Sequence, residues 1–159
     1  MSPIPTPPAG WRDTADAAVA RGQALDRRIP AVLLDSPISR VGYWYGTTVG
    51  WLWGSLWSTG RVERREGLWV FRGLPGWAFR RGGVCVGGCF LTGDAGVTDR
   101  VLRHEAVHKR QWQRYGLLMP LLYLLAGRDP LRNRFEIEAG LEDGNYVPRG
   151  SDRAVSARR

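Results

Sequence analysis

The chain contains few of the residues that form disulfides and bind metals. Among its 159 residues there are two cysteines, Cys85 and Cys89, and two histidines, His104 and His108. Two cysteines exclude a scaffold of several disulfides and a four-cysteine zinc or iron–sulfur site built by this chain alone. In a reducing compartment we expect both thiols to be free. The scarcity of histidine makes the placement of the two that are present informative.

Lysine is almost absent, because arginine supplies 22 of the 23 basic residues and Lys109 is the one lysine. The net charge of +8 suits anionic partners in general. Arg103, Arg110 and Arg114 line one face of a predicted helix. The arginines are nevertheless scattered along the whole chain and accompany no nucleic-acid-binding motif, so nucleic acid is not an expected partner.

The N-terminus lacks the basic stretch and apolar run of a signal peptide, which predicts a cytoplasmic protein. Residues 1–10 are rich in proline and predict a disordered lead, and residues 149–159 predict a basic disordered tail. Between them, residues 11–148 have the length of a single domain, with its core in residues 61–146.

Residues 41–60 carry no charge and repeat glycine at every fourth position, at Gly42, Gly46, Gly50 and Gly54. On a helix, this spacing makes a smooth strip along one face. Twenty uncharged residues match a membrane span in length, but glycine, tryptophan and hydroxyl residues dominate. We expect a buried helix approached closely by another element. A helix lying on a membrane surface is the alternative.

The remaining pattern predicts an α+β domain. Residues 11–28 have helical periodicity, and Pro30 follows them. Short β-branched and aromatic runs predict an antiparallel sheet of hairpins over 68–72, 77–80, 84–86 and 89–92. A helix is expected from the N-cap Thr98 to about Tyr115, followed by an apolar helix over 117–126 and a third helix from Asp129 and Pro130 to Gly144.

The strongest motif is HExxH, at residues 104–108. Two histidines four apart lie one turn apart on the same helix face, so both imidazoles can reach one metal ion. Glu105 is about 100° round the helix, where it can take a proton from a metal-activated water. The motif therefore predicts a zinc site with Glu105 as general base.

A catalytic zinc site needs a third protein ligand. The third predicted helix offers Glu136 and Glu138, which lie on opposite faces, so only one of them can point at the metal. Glu136 is favoured because the residues three and four further on, Ala139 and Gly140, are small and allow close packing. Glu138 remains the alternative.

Four further residues are candidates for supporting roles. Gln111 and Tyr115 share the histidine face; Gln111 could orient a ligand, and Tyr115 could hydrogen-bond a developing oxyanion or simply pack beneath the site. Glu142 or Asp143 could accept a hydrogen bond from a ligand histidine.

The segments HEAVHKRQ and FEIEA resemble the HExxHxxQ…ExEA signature of short peptidase-like domains, and the HExxH…E pattern is similar to that of gluzincin zinc metallopeptidases. Membrane peptidases of this type take their third ligand from the first Glu of an ExxAD motif. The resemblance spans about residues 82–146 and implies His104, His108 and Glu136 as zinc ligands and Glu105 as general base. The Asp of ExxAD is Gly140 here, so the acceptor that orients a ligand is missing or comes from another residue.

The predicted architecture is a small zincin-like domain in which the HExxH helix packs against a C-terminal helix that carries the glutamate. The expected function is zinc-dependent hydrolysis of peptide bonds, with a strand such as Cys89–Thr92 holding the peptide substrate by edge pairing. The alternative is a non-catalytic module, with a structural or degenerate metal site, that binds a membrane surface or protein partner through residues 41–60.

Overall fold

The computed structural model describes residues 4, 6–77 and 82–151, and within them it contains five α-helices and one four-stranded sheet. The fold is α+β, as the sequence predicts. The helices are α1 Trp11–Asp26, α2 Pro37–Trp57, α3 Asp99–Tyr115, α4 Leu118–Ala126 and α5 Arg134–Ala139, and the strands are β1 Glu63–Arg65, β2 Leu68–Phe71, β3 Gly83–Val86 and β4 Cys89–Thr92.

The glycine strip of α2 faces inward and allows close packing against four different partners. A Cβ at Gly42 would lie 2.5 Å from the backbone nitrogen of Leu117, and one at Gly46 would lie 2.8 Å from the ring of Trp112. Gly50 faces β3 and β4, and Gly54 faces the ring of Phe71. The close approach expected at the glycine strip is confirmed, but the helix is not buried as a whole, because its opposite side faces solvent. None of the helices in the described segments is both long and apolar enough to cross a bilayer.

The sheet has the strand order β1-β2-β4-β3 and is mixed. β3 and β4 form the expected hairpin around Gly87 and Gly88, and β1 pairs antiparallel with β2. β2 and β4, however, run parallel, so the prediction of a purely antiparallel sheet was wrong. The chain between these two strands makes a crossover rather than a tight turn, which allows parallel pairing. Trp77 lies in a turn, and residues 78–80 of the predicted strand fall outside the described residues.

Helix α3 begins and ends where its capping residues predict. The Thr98 hydroxyl accepts from the backbone N–H of Val101, and Gly116 follows the last turn. The third predicted helix begins later than expected. Asp129 accepts from the N–H of Leu131 and stabilises an isolated turn, whereas Asn133 caps α5, which ends at Gly140 rather than Gly144. The local bonds of Asp129 compete with helix continuation.

The main core lies between the sheet and helices α3 to α5, and its fully buried side chains include Leu68, Val70, Leu102 and Phe135. This core determines the position of the site, because α3 contacts α5 and contributes Leu102 to the same core as Phe135 of α5. His104, the first residue of the HExxH motif, consequently lies beside Glu136 of the short helix α5.

Candidate metal centre

Three buried side chains converge between α3 and α5. The Nε2 atom of His104 lies 3.1 Å from Nε2 of His108 and 3.0 Å from Oε2 of Glu136, and His108 Nε2 lies 3.6 Å from Oε1 of Glu136. Ligands about 2.05 Å from a tetrahedral zinc ion would be about 3.3 Å apart. The cluster therefore has dimensions that allow the three residues to hold a metal ion.

Hydrogen bonds on the far side of each ring determine which nitrogen faces the centre. His104 Nδ1 lies 3.0 Å from the carbonyl oxygen of Gly140, and His108 Nδ1 lies 2.8 Å from Oε1 of Gln111. Both oxygens can only accept, so both Nδ1 atoms carry hydrogen, and each ring in its neutral form turns an Nε2 lone pair inward. With Glu136, three acceptors face one another, an arrangement that a cation stabilises.

Glu136 is held in its ionised form. Burial by itself would raise the pKa of this carboxyl, but hydrogen bonds with the two histidines and the hydroxyl of Tyr123 hold the pKa far below its usual range. Burial likewise disfavours a charged ring at His108, yet the carboxylates of Glu136 and Glu105 outweigh it and raise the pKa of His108. A proton on His108 is therefore the alternative to a metal cation for neutralising the cluster.

Glu105 stands beside the cluster rather than in it. Its side chain is buried, and its Oε2 atom has no hydrogen-bond partner among the described residues. Burial raises the pKa of Glu105, opposed in part by the two histidines. A buried carboxyl oxygen without a partner is expected to bind a ligand or a water molecule, so this carboxylate is available for proton transfer at the centre.

The cluster and Glu105 line a cleft of about 440 Å³. Helix α3 forms its base, β3 forms one wall, and Met119, Pro120 and Leu124 of α4 form the other. In the sheet order, β3 is an edge strand, whereas β4 lies between β2 and β3. The expectation that Cys89–Thr92 pairs with a peptide was therefore wrong, because the neighbouring strands occupy both of its edges.

Of the residues predicted to support the centre, only some contact its histidines. Gln111 reaches His108 as its position on the helix predicts, and its amide nitrogen donates to the carbonyl of Phe135 and to Glu138. Glu138 thus contacts Gln111 rather than the centre. Asp143 pairs with Arg100 and Arg103.

Neither Glu142 nor Asp143 supplies the acceptor for a ligand histidine, because Gly140 and Gln111 already do so. The Glu142 carbonyl instead accepts from Arg100. Gly140, which occupies the position of the aspartate in the ExxAD motif, therefore contributes through its backbone oxygen.

Tyr115 does not reach the centre. Its hydroxyl donates to Oδ2 of Asp26 at 2.6 Å, and its ring packs edge-on against Phe135. The oxyanion role assigned to it is wrong, because one turn beyond Gln111 and two turns beyond His108 the helix face meets α1 and α5 instead of the cleft. The packing alternative describes what is observed.

Two other tyrosines line the cleft, and sequence reasoning missed both. Tyr123 donates to Glu136, and the ring of Tyr146 lies edge-on to His104, with centroids 5.9 Å apart. Burial is the main cause that raises the pKa of each hydroxyl, and the nearby carboxylates raise it further. Both tyrosines therefore remain protonated donors. Tyr123 could have been noticed as the one hydroxyl in the apolar run 117–126; no local signal marks Tyr146.

Gly144 permits the close approach of Tyr146 and His104. A Cβ at this position would lie 2.7 Å from Cε1 of His104 and 2.7 Å from the Tyr146 ring. No side chain larger than hydrogen fits here without moving one of the two rings.

Comparison of the chain with protein-family models, with curated proteins and with solved structures finds no match.

Proposed function

We propose that this protein is a zinc-dependent metallopeptidase with a zincin-like catalytic domain. The observation that carries the proposal is the convergence of His104, His108 and Glu136 next to an unpartnered Glu105, in a cleft large enough for part of a peptide chain. Two imidazoles and one carboxylate suit zinc among the common metals. A purely structural metal site does not need a buried carboxylate beside it.

A zinc ion bound here would supply Lewis acidity, which makes a water molecule easier to deprotonate and polarises a carbonyl group. Glu105 takes the proton as the water oxygen attacks the peptide carbonyl carbon. It then gives the proton to the amine nitrogen as the C–N bond breaks. The raised pKa of Glu105 suits both steps, since it brings the carboxyl closer to neutral pH.

Tyr146 is the donor that we assign to the developing oxyanion, in place of Tyr115. Its hydroxyl stays protonated and lies in the cleft next to the carboxylate of Glu136, to which Tyr123 already donates. Donors aimed at developing negative charge contribute strongly to acyl-transfer rates.

The edge strand β3 provides a place for an extended substrate. Val86 and Cys89 flank a two-residue turn and exchange hydrogen bonds, so the alternate residues Gly83 and Cys85 direct their backbone groups away from β4. The indole N–H of Trp112 donates to the carbonyl of Cys85 at 2.9 Å, which agrees with a Cys85 backbone that points away from β4. The N–H of Cys85 and the backbone of Gly83 remain for pairing with a peptide.

The experiment compares the purified wild type with Glu105→Gln on a mixed peptide library, followed by mass spectrometry. We expect wild type to cleave peptides, and we expect chelation to abolish this cleavage and added zinc to restore it. Glu105→Gln should retain its zinc but cleave no peptide. Zinc-loaded wild type that cleaves no peptide, or a Glu105→Gln variant of equal activity, overturns the proposal.

A further inference from the structure

From Val41 to Trp57 the outward side of α2 carries no charge and is mostly apolar, although it faces solvent. Between Arg40 and Arg61 there is no charged residue, and the exposed side chains include Trp44, at 61% exposure, and Leu52, at 60%. A solvent-exposed helix normally carries charged residues on its outer side. An apolar surface of this extent marks an interaction site.

Helix α4 extends this surface. Leu121 and Leu125 are 55% and 69% exposed, and the whole stretch from Tyr115 to Gly127 is without charge. The two helices meet where Gly42 lies against the backbone nitrogen of Leu117. We call the combined surface the apolar face; its members are Val41, Trp44, Tyr45, Val49, Trp51, Leu52 and Leu56 of α2 and Leu117, Leu121, Leu124 and Leu125 of α4.

The composition of the apolar face indicates what covers it. The glycine strip, which would allow a second helix to approach closely, is already used against α3, α4 and the sheet. What remains outside is bulky and rich in tryptophan, the residue that prefers the boundary between lipid headgroups and acyl chains. Such a surface suits shallow insertion into a bilayer better than tight packing against a second copy.

Positive charge lies beside the apolar face. Arg40 and Arg61 are exposed at the two ends of the uncharged segment of α2. A cavity of about 240 Å³ opens beside α4, where Arg21 and Arg132 lie next to Leu122 and Leu125. Arg134 also lines this cavity, but it is buried and paired with Asp26. Guanidinium groups beside leucines fit an anionic headgroup above acyl chains.

We propose that the apolar face docks this protein on an anionic lipid bilayer, with α2 and α4 lying in the interface. Leu124 belongs both to the apolar face and to the wall of the metal-centre cleft, so docking brings the cleft to the membrane surface. The inference rests on exposure and charge and does not depend on peptidase activity.

The test is sedimentation of the full chain with vesicles of phosphatidylcholine alone or of equal parts phosphatidylcholine and phosphatidylglycerol. We expect binding that is stronger with phosphatidylglycerol, together with a blue shift of tryptophan fluorescence. Trp44→Ser/Leu52→Ser should lower the partition coefficient at least about tenfold, because each exposed side chain loses apolar area that enters the interface. The control Val32→Ser/Val62→Ser removes exposed apolar side chains outside both helices and should bind as wild type does.

Leu121→Ser/Leu125→Ser tests the face again on the other helix, should the first variant fail to fold. Arg21→Gln/Arg132→Gln should reduce the preference for phosphatidylglycerol and leave the weaker binding to phosphatidylcholine unchanged, whereas Arg40 and Arg61 keep part of the preference. Wild type that stays in the supernatant with both vesicles, or folded serine variants that bind as tightly as wild type, overturn the proposal. A lipid-free dimer that the same serine substitutions dissociate assigns the face to a second copy and also overturns it.

Discussion

The Nδ1 atom of His104 lies 3.0 Å from the carbonyl oxygen of Gly140, across the contact between α3 and α5. Gly140 follows α5 with φ of 95°, a conformation that glycine adopts without strain. This conformation ends the helix and turns the Gly140 carbonyl, which also accepts from the backbone N–H of Gly144, toward the imidazole. A backbone oxygen thereby orients His104 where the family resemblance leads one to expect an aspartate.

Replacing Glu136 should remove the metal. Glu136→Gln keeps the shape but loses the anionic ligand, so we expect about one zinc per wild-type chain and little in the variant, by elemental analysis. Glu138→Gln is the matched control, since Glu138 contacts Gln111 and not the centre. Zinc retained by Glu136→Gln and lost from Glu138→Gln would reverse the assignment of the third ligand.

Glu105→Gln should separate catalysis from stability. We expect kcat to fall by about 10²–10⁴-fold, the usual contribution of a general base, with the zinc content unchanged. Because burial raises the pKa of Glu105, the ionised carboxylate costs folding free energy at neutral pH, so a neutral amide should not lower the unfolding temperature. A clear drop in unfolding temperature, measured by calorimetry, would show that the carboxylate stabilises the fold instead.

Tyr146→Phe should reduce kcat by about 10²-fold while zinc content and KM change little, because the lost hydroxyl acts on developing charge. Tyr115→Phe should leave kcat intact and lower the free energy of unfolding by about 1–2 kcal/mol, since its hydroxyl bonds Asp26. Peptide hydrolysis and denaturant unfolding of both variants check this pair. The opposite pattern would return the oxyanion role to Tyr115.

Gly144→Ala should weaken zinc binding. The new methyl group would lie 2.7 Å from His104 and from Tyr146, so one ring must shift, and we expect about a tenfold loss of affinity in competition with a chelator. Gly96→Ala is the control, since a Cβ there meets nothing within 4 Å. Equal affinity in the two variants would mean that the rings adjust without disturbing the ligand.

Asp26→Asn should destabilise the protein only above acidic pH. Burial alone would raise the pKa of Asp26, but hydrogen bonds from Arg134 and Tyr115 lower it below its ordinary value. The ionised carboxylate therefore stabilises the fold above about pH 4, and this stabilisation disappears as the pH falls through the folded-state pKa.

At neutral pH we expect Asp26→Asn to cost about 2–4 kcal/mol, because Arg134 is buried and loses its ionic partner. The difference from wild type should shrink as the pH falls below about 4, measured by urea unfolding across pH. The exposed Asp16→Asn, on the same helix, serves as control. A difference that is constant across pH would contradict the electrostatic origin of the effect.

The sheet shows why local patterns predict strands better than their pairing. Residues 68–71, 83–86 and 89–92 form strands close to their predicted positions, and the turn at Gly87 and Gly88 forms the predicted hairpin. The parallel pairing of β2 with β4 depends on how the intervening chain crosses, which no short-range signal encodes. The expectation that β4 has an edge open to a peptide was wrong for the same reason, since β3 and not β4 is an edge strand.

Amino-acid spacing by itself determined three local features. Thr98 and Gly116 set the bounds of α3 through backbone capping. Helix periodicity placed the glycine strip on one face of α2 and the two histidines on one face of α3. Tertiary structure decided which groups complete the centre. Gly140 and Tyr146 reach His104, and Tyr123 reaches Glu136, through contacts between helices and loops far apart in sequence. Tyr115, one turn beyond the site on the same helix, meets Asp26 instead, because α1 packs there.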